Sequence, residues 1–563
     1  MIFKDYISIL LILTTLLVLN IFSTYIKYDI DLSNDKRYTM PLSAKKFVSN
    51  LDDNVIIKIY INNDLPIKFK PLKEQINNTL MLLKSINTDK IKFEFINIDL
   101  EKNIEQKKIY EFLVKQGLQP ILISDNSVGK TTNTIIFSGA IIYYKDRKTS
   151  INFIDDPDQR NIYKCIEEVQ FNIYSAIKHL LNFPKNRIAI LDGNGSLKSN
   201  NLTDIIYSIY PNNYNLSYFY DVDRFNLKEF VKNDKVGAGN IDDLSKQLNR
   251  LSKYKAVIIA KPSIKFSQVD KFLIDQYIMS GGRVLWLIDG VKAHIDSVNN
   301  PKSKFIAVKN DLNIKDLFYS YGVKINNDLI QDLRSANLSI VNRNSNQEML
   351  YKWPFYPVIG SLGGNIVSKN IDNVFTKFTS SIDTIKNNIK KHILLVSSNR
   401  SKINYSPVKV SLGILENIPA TTTYNKNNLP IAVLLEGKFN SLFKHRIPKD
   451  DIDFKIMSPQ NKMIVVSDGD IISNPDGYPL GYNVNDKQTY SGNKKFLINA
   501  VHYLCDDIEM INLRTTKLQL RLLDMQKIES YKMLIKIFNI VIPILIFLIF
   551  QFILHTARKN YYK

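Results

Sequence analysis

The chain is poor in the residues that build metal and thiol chemistry. It has two cysteines and six histidines among 563 residues. Two thiols, Cys165 and Cys505, cannot staple a chain of this length, and no C-x-x-C pair exists, which excludes thiol–disulfide exchange. The histidines, at 179, 294, 392, 445, 502 and 555, are scattered. No H-x-x-x-H pair and no Cys/His cluster is present, so a zinc site of ordinary spacing is excluded. G-x-S-x-G is missing, and with it the nucleophile elbow of serine hydrolases. Internal repeats and long low-complexity tracts are missing too. Acid is in short supply: Asp and Glu number 54 against 75 Lys and Arg, a net charge of +21. The lysines are spread rather than clustered, amid abundant Asn, Ile and Tyr, so the excess reads as overall composition and nucleic acid is not an expected partner. Hydrophobic residues at 45% and charged residues at 23% describe a folded chain.

Long apolar runs, by contrast, are present at both ends. Tyr6 to Ile26 has 21 residues without a charge, and Ile537 to Leu554 has 18. A hydrocarbon core of about 30 Å needs roughly 20 apolar residues in a helix. Both runs therefore read as transmembrane helices, and Pro543 is tolerable in lipid. The first run exceeds a usual signal-peptide core and has no A-x-A site after it, so it reads as an uncleaved anchor. Two spans place both termini on one side, with a loop of 510 residues between them. The flanking Lys4, Lys27, Lys36 and Arg37 leave the topology open, because long domains cross membranes largely regardless of charge.

Between the spans, hydrophobic period separates two regions. Asp29 to Pro41 is turn-rich, and a helix follows from an N-cap at Ser43 to Leu51. Strands are expected at 54–61, 91–99 and 120–124, helices at 70–85 and 105–117, and a hairpin at 134–145 and 148–154. The order β-α-β-α-β-β looks like a thioredoxin-type unit over 27–155, closed by the breaker Asp155-Asp156-Pro157-Asp158. The region 156–512 then alternates strands (187–191, 216–220, 256–260, 283–288, 392–397, 431–436, 463–467) with helices (161–182, 202–210, 266–280, 494–504). Apolar strands alternating with helices predict a parallel, doubly wound, Rossmann-like sheet. Residues 337–391 read as an irregular insertion. A charged helix over 513–536 leads into the second span, and 555–563 is a basic tail. The fold class is thus α/β, flanked by two transmembrane helices.

Ser124 to Thr131 (SDNSVGKT) is one residue short of a P-loop. The first Gly is replaced by Ser124, and a strand follows where a helix is needed, so the stretch reads as a turn. The loop Asp192-Gly193-Asn194-Gly195-Ser196 ends an expected strand and precedes a helix, the position at which open α/β sheets bind ligands. Its two glycines permit close backbone approach, or simply a tight turn. Asp275 and Asp289 are a possible carboxylate pair, but nothing in their spacing brings them face to face. Arg514, Lys517, Arg521, Lys527, Lys532 and Lys536 form a candidate membrane-proximal interface. No catalytic, metal or cofactor set emerges.

Several runs carry a resemblance. Lys261 to Val291 (KPSIKFSQVDKFLIDQYIMSGGRVLWLIDGV) looks like the signature stretch of the GldG family, auxiliary components of a gliding-associated bacterial ABC transporter. Leu32 to Pro41, Tyr351 to Val358 (YKWPFYPV), Ser467 to Asn474 (SDGDIISN) and Leu518 to Asp524 agree with it in order. The resemblance implies an α/β body facing the periplasm, held in the inner membrane by two spans and partnered with an ABC permease, its ATPase and lipid. It implies gliding motility in Bacteroidota, and it leaves the transported substrate unnamed. Where relatives carry Gly-His-Gly-Glu, this chain has Gly193-Asn194-Gly195-Ser196, lacking both imidazole and carboxylate. The function expected is a non-catalytic substrate-binding or scaffold subunit. A membrane-anchored hydrolase or amidotransferase-like enzyme, and a plain envelope scaffold, are the alternatives.

Overall fold

The computed structural model describes residues 14–15, 17–18, 40, 42–61, 69–98, 104–125, 132–154, 162–209, 214–230, 241–295, 305–341, 347–415, 419–446, 454–515 and 530–561. The expected first span therefore lies almost wholly outside the described residues. So do the breaker at 155–158, the Gly-Lys-Thr of the near-P-loop and most of the charged stretch after 515.

Two compact units divide the chain, 1–517 and 518–563. The first begins with α1 (Leu42–Ser49), β1 (Val55–Ile61), α2 (Lys70–Ile86), β2 (Ile91–Ile96), α3 (Ile104–Lys115), β3 (Pro120–Asp125), β4 (Thr132–Tyr144) and β5 (Arg147–Asn152). β1 pairs parallel to β2 and antiparallel to β4, and β4 also carries β3 and β5, both antiparallel. Leu72, Ile76, Leu80 and Leu83 form the buried stripe of α2 at helical spacing. Gly117, at φ +90°, ends α3, as its place after the amphipathic run predicts. Next comes α4 (Ile162–Leu181), whose residues Ile166, Val169, Ile173, Ile177 and Leu180 are buried.

The larger sheet contains β6 (Arg187–Asp192), β7 (Asp221–Asn226), β8 (Ala256–Ala260), β9 (Arg283–Leu287), β10 (Lys390–Val396), β11 (Pro430–Asn440) and β12 (Met457–Val466), in the order β10-β11-β12-β9-β8-β6-β7. From β12 to β7 the strands are parallel, whereas β11 runs antiparallel to both its neighbours, β10 and β12. The expected all-parallel sheet thus has an antiparallel edge, because β11 returns directly into β12 without a crossover helix. Helices α5 (Thr203–Tyr207), α6 (Ile241–Leu251), α7 (Gln268–Met279), α8 (Gly492–Leu504) and α9 (Ile508–Thr515) accompany it. Ala189, Leu191, Val257, Ile259, Val284, Trp286, Val433 and Val465 share one core with α7. Ile188, Ile190, Ile258, Leu285 and Ile464 are buried on the opposite face, where α8 packs on β9 and β12.

Two expectations are corrected. Residues 216–220 are not a strand: Leu216–Phe219 is a short helix because the Asn215 side chain caps it, accepting from Tyr218 N at 2.8 Å, and the strand begins at Asp221. Residues 337–391 are not irregular throughout. Ser335–Val341, Glu348–Ile359 and Val374–Phe375 form an antiparallel sheet. A second core forms around it from Trp353, Phe355, Tyr356, Phe375 and Phe378.

The second unit contains α10 (Lys532–Tyr561), 30 residues with a mean hydropathy of 2.8 over its most apolar stretch and none of that stretch buried. It is long and apolar enough to cross a membrane. The helix runs on to Tyr561, so most of the expected basic tail belongs to it.

Candidate functional site at the carboxyl edge of the sheet

In this sheet the chain passes from β6 outward to β7, then back to β8 on the other side. That reversal makes a crevice at the carboxyl ends of β6 and β8, and the loop 192–196 stands in it. Several of its polar groups are already engaged, but the Asn194 Oδ1 is buried with no hydrogen-bond partner among the described residues. Asp192 takes two bonds from Arg224, Nε at 2.7 Å and Nη2 at 2.5 Å. The Asn194 carbonyl accepts from Ser263 N and Ile264 N, both at 3.0 Å, and its side-chain nitrogen donates to Asp270 at 3.0 Å. Asp270 belongs in turn to the capping box that starts α7 with Ser267. A Cβ on Gly195 would lie 2.2 Å from Ser263 Oγ. The glycines here permit loop-on-loop packing.

One strand further along, three carboxylates and an ammonium converge. Lys261 directly follows β8, Asp289 lies just past β9, and Asp468 and Asp470 lie just past β12. Lys261 Nζ is 2.6 Å from Asp470 and 3.6 Å from Asp289. Asp289 accepts from Gly469 N at 2.6 Å, while Asp468 accepts from Lys377 N at 2.9 Å and Asp470 N at 2.7 Å. Gly469 is required by closeness: a Cβ there would meet Lys261 side-chain carbons at 2.5 and 2.7 Å.

The charges in this cluster are unequal. Burial, opposed by Lys261, pushes the Asp289 carboxyl up to about 6. Burial and the neighbouring Asp470 and Asp289 raise Asp468 well above the carboxylate range. Burial works against charge on Asp470 as well, but Lys261 and Lys377 outweigh it and hold Asp470 below its ordinary value. On Lys261 burial is likewise overcome, by Asp470 and then Asp289, and its ammonium is strengthened. The site therefore pairs the Lys261 ammonium with the Asp470 carboxylate, while its surroundings favour the proton on Asp468.

Carboxylate oxygens of Asp289, Asp468 and Asp470 lie within 4.8 Å of one another, a donor set suited to a hard cation. Lys261 already supplies the positive charge at their centre. No nucleophile paired with a base stands among the described residues of the cluster. A small cavity of about 30 Å³ opens beside Asp289, walled by Leu312, Ile314, Phe318 and Ile325.

Asp275, the other member of the possible pair, is elsewhere. It is buried and accepts from Tyr321 Oη, Ser441 Oγ and Leu442 N. The sequence signal for the true cluster is the placement of Asp289 and of Ser-Asp-Gly-Asp (467–470) immediately after strands of one parallel sheet. Of the basic residues offered as a membrane-proximal interface, Arg514 is stacked 3.8 Å from the Tyr214 ring centre and 5.3 Å from that of Phe171. Lys532 and Lys536 are exposed on α10. Lys517, Arg521 and Lys527 lie outside the described residues.

The fold is a mixed α/β body with a polar cluster at the carboxyl edge of its parallel strands. The chain belongs to the family described as an ABC-type uncharacterized transport system, which it matches over residues 185–500, more than half its length. Residues 34–143 match a second family, described as a domain of unknown function, DUF7088. A protein of Borreliella burgdorferi described as uncharacterized is 22% identical over 550 residues, covering 95% of this chain and 94% of its own. The solved structure of the mmIFT52 N-terminal domain aligns at 15% identity over 56% of this chain and 97% of its own, with a TM-score of 0.31. That score is too low to define a common fold.

Proposed function

We propose that this chain is a membrane-attached auxiliary subunit of an ABC transporter and performs no chemistry itself. The observation that carries the reading is the family match across the doubly wound body. ATP hydrolysis would belong to a separate ATPase subunit, and substrate passage to a permease. The apolar helix α10 supports attachment to the membrane, and the charge-compensated Lys261 cluster, which lacks a nucleophile–base pair, supports a binding or docking role. The proposal extends to a GldG-type subunit with two spans and the body outside the cytoplasm. It also takes 27–155 as a thioredoxin-like unit without redox chemistry, on the strand order β2-β1-β4-β5 with β4 antiparallel.

The test is a mild-detergent pull-down of tagged full-length protein, with partners identified by mass spectrometry. Co-purification of a multi-span permease and an ATPase is expected. A folded, membrane-derived preparation that brings down neither overturns the reading. A reporter inserted after Asn50 tests sidedness separately, and cytoplasmic signal there would reject the external body.

A further inference from the structure

The insertion meets the main sheet at an open cleft of about 530 Å³, lined by Arg334, Ser361, Leu362, Asn399, Arg400 and Asn428 among others. Three short segments make its walls, and backbone bonds lock them together. Leu333 N donates to the Arg400 carbonyl at 3.2 Å, and Gly360 and Val396 exchange two bonds, at 2.9 and 3.1 Å. Behind the walls lies Asp332, with no exposure to solvent. Its carboxylate accepts four donors: Arg334 N at 2.8 Å, Ser398 Oγ at 2.6 Å, Ser398 N at 2.7 Å and Ser401 Oγ at 3.1 Å. A buried acid thus fixes both arginine-bearing loops from behind and forms no ion pair with either guanidinium.

The groups facing the cleft differ from those behind it. Ser397 and Ser398 are engaged in the framework. Arg334 is anchored through Nε, which donates to Val358 O at 2.7 Å. Its guanidinium lies against Gly360, where a Cβ would come within 3.2 Å of Nη2. That anchoring leaves the two Nη groups as an oriented fork. Neither Arg334 nor Arg400 pairs with a carboxylate among the described residues, and the lining contains no acid. Two guanidiniums, with the Ser361 hydroxyl and the amides of Asn399 and Asn428, offer more donors than the two oxygens of a carboxylate can take. The three oxygens of a phosphate match them better.

From this geometry we infer that the Arg334–Arg400 cleft binds a phosphate-bearing ligand about as large as a phosphorylated sugar. The inference stands apart from the transporter reading and from the Lys261 cluster, which lies on other loops.

Pyrophosphate is the probe, titrated into detergent-purified full-length protein by calorimetry at 0.15 M salt. Saturable one-site binding is expected, weakened at least tenfold in Arg334→Gln/Arg400→Gln. Because the chain carries a net charge of +21, a control variant, Lys390→Gln/Lys438→Gln, removes two exposed charges elsewhere and is expected to bind as wild type. Equal weakening in both variants, or no saturable binding, overturns the inference. Circular dichroism melts of each variant without ligand establish that the fold is retained. Should the double arginine variant unfold, Arg400→Gln alone, whose side chain is exposed, carries the same test. Vesicles containing phosphatidylglycerol then separate two sources of the phosphate: displacement of pyrophosphate marks a lipid headgroup, and no displacement marks a soluble ester.

Discussion

Asp289 and Asp468 are carboxyls that the folded protein keeps protonated more readily than the unfolded chain does. The sign of the consequence follows by linkage. A raised carboxyl contributes stability that is present at low pH and lost as pH rises through its folded value. For Asp289, at about 6 against an ordinary 3.8, the window runs between those two values. Asp289→Asn removes that titration. The stability of the variant relative to wild type should therefore rise between pH 4 and pH 7, by on the order of 3 kcal/mol in urea unfolding. A flat difference would mean that Asp289 is ionised throughout. His502 acts in the opposite sense. It is buried, with Nδ1 bonded to Tyr220 Oη at 2.6 Å, and burial lowers it to about 4. The unfolded chain therefore takes up its proton first, and this contribution is lost as pH falls from about 6.5 toward 4. His502→Gln should flatten that acid limb. At Gly469 the expectation is steric. Gly469→Ala pushes a methyl into Lys261 and should cost on the order of 1–3 kcal/mol, read as a lower urea midpoint with unchanged m-value.

Among the elements, the insertion is the clearest test of independent packing. Trp353 is fully buried in a core that the main sheet does not share. Trp353→Ala should cost about 3–5 kcal/mol locally. Hydrogen exchange should then quicken over 335–341, 348–359 and 374–375 before it quickens in β8 and β9. Equal quickening everywhere would make insertion and sheet one cooperative unit. This element also marks what the sequence concealed. Helix α2 was legible from its apolar period, α7 from its Ser267 cap and terminal glycines, and β6, β8, β9 and β12 from their apolar runs, whereas β7 was placed five residues early. The insertion was not, because its strands mix aromatic, polar and proline residues, and Pro354 and Pro357 within Glu348–Ile359 read locally as breaks. Leu216–Phe219 read as a strand because four residues carry no period, and the cap at Asn215 decided the outcome. The Lys261 cluster stayed hidden for another reason. Its members are separated by up to 209 positions, and only the parallel pairing of β12 with β9 brings them together.

At the scale of the whole molecule, the proposed pair of spans makes a prediction that neither span makes alone. A chain ending before Lys532 lacks α10, yet it should still sediment with membranes if residues 6–26 anchor it. Removing both segments should release the body into the supernatant. Release by loss of α10 alone would exclude a lasting N-terminal anchor.

The strand order also has a consequence in time. β9 ends at Leu287 and its partner β12 begins at Met457, so about 170 residues separate them. At a synthesis rate of roughly 5–20 residues per second, β9 waits on the order of 10–35 s as an uncovered edge while the chain emerges. During that interval Lys261 and Asp289 already sit at the ends of β8 and β9, without Asp468 and Asp470. The completed quartet therefore exists only in molecules whose last parallel strand has docked, so it records that the chain has finished folding.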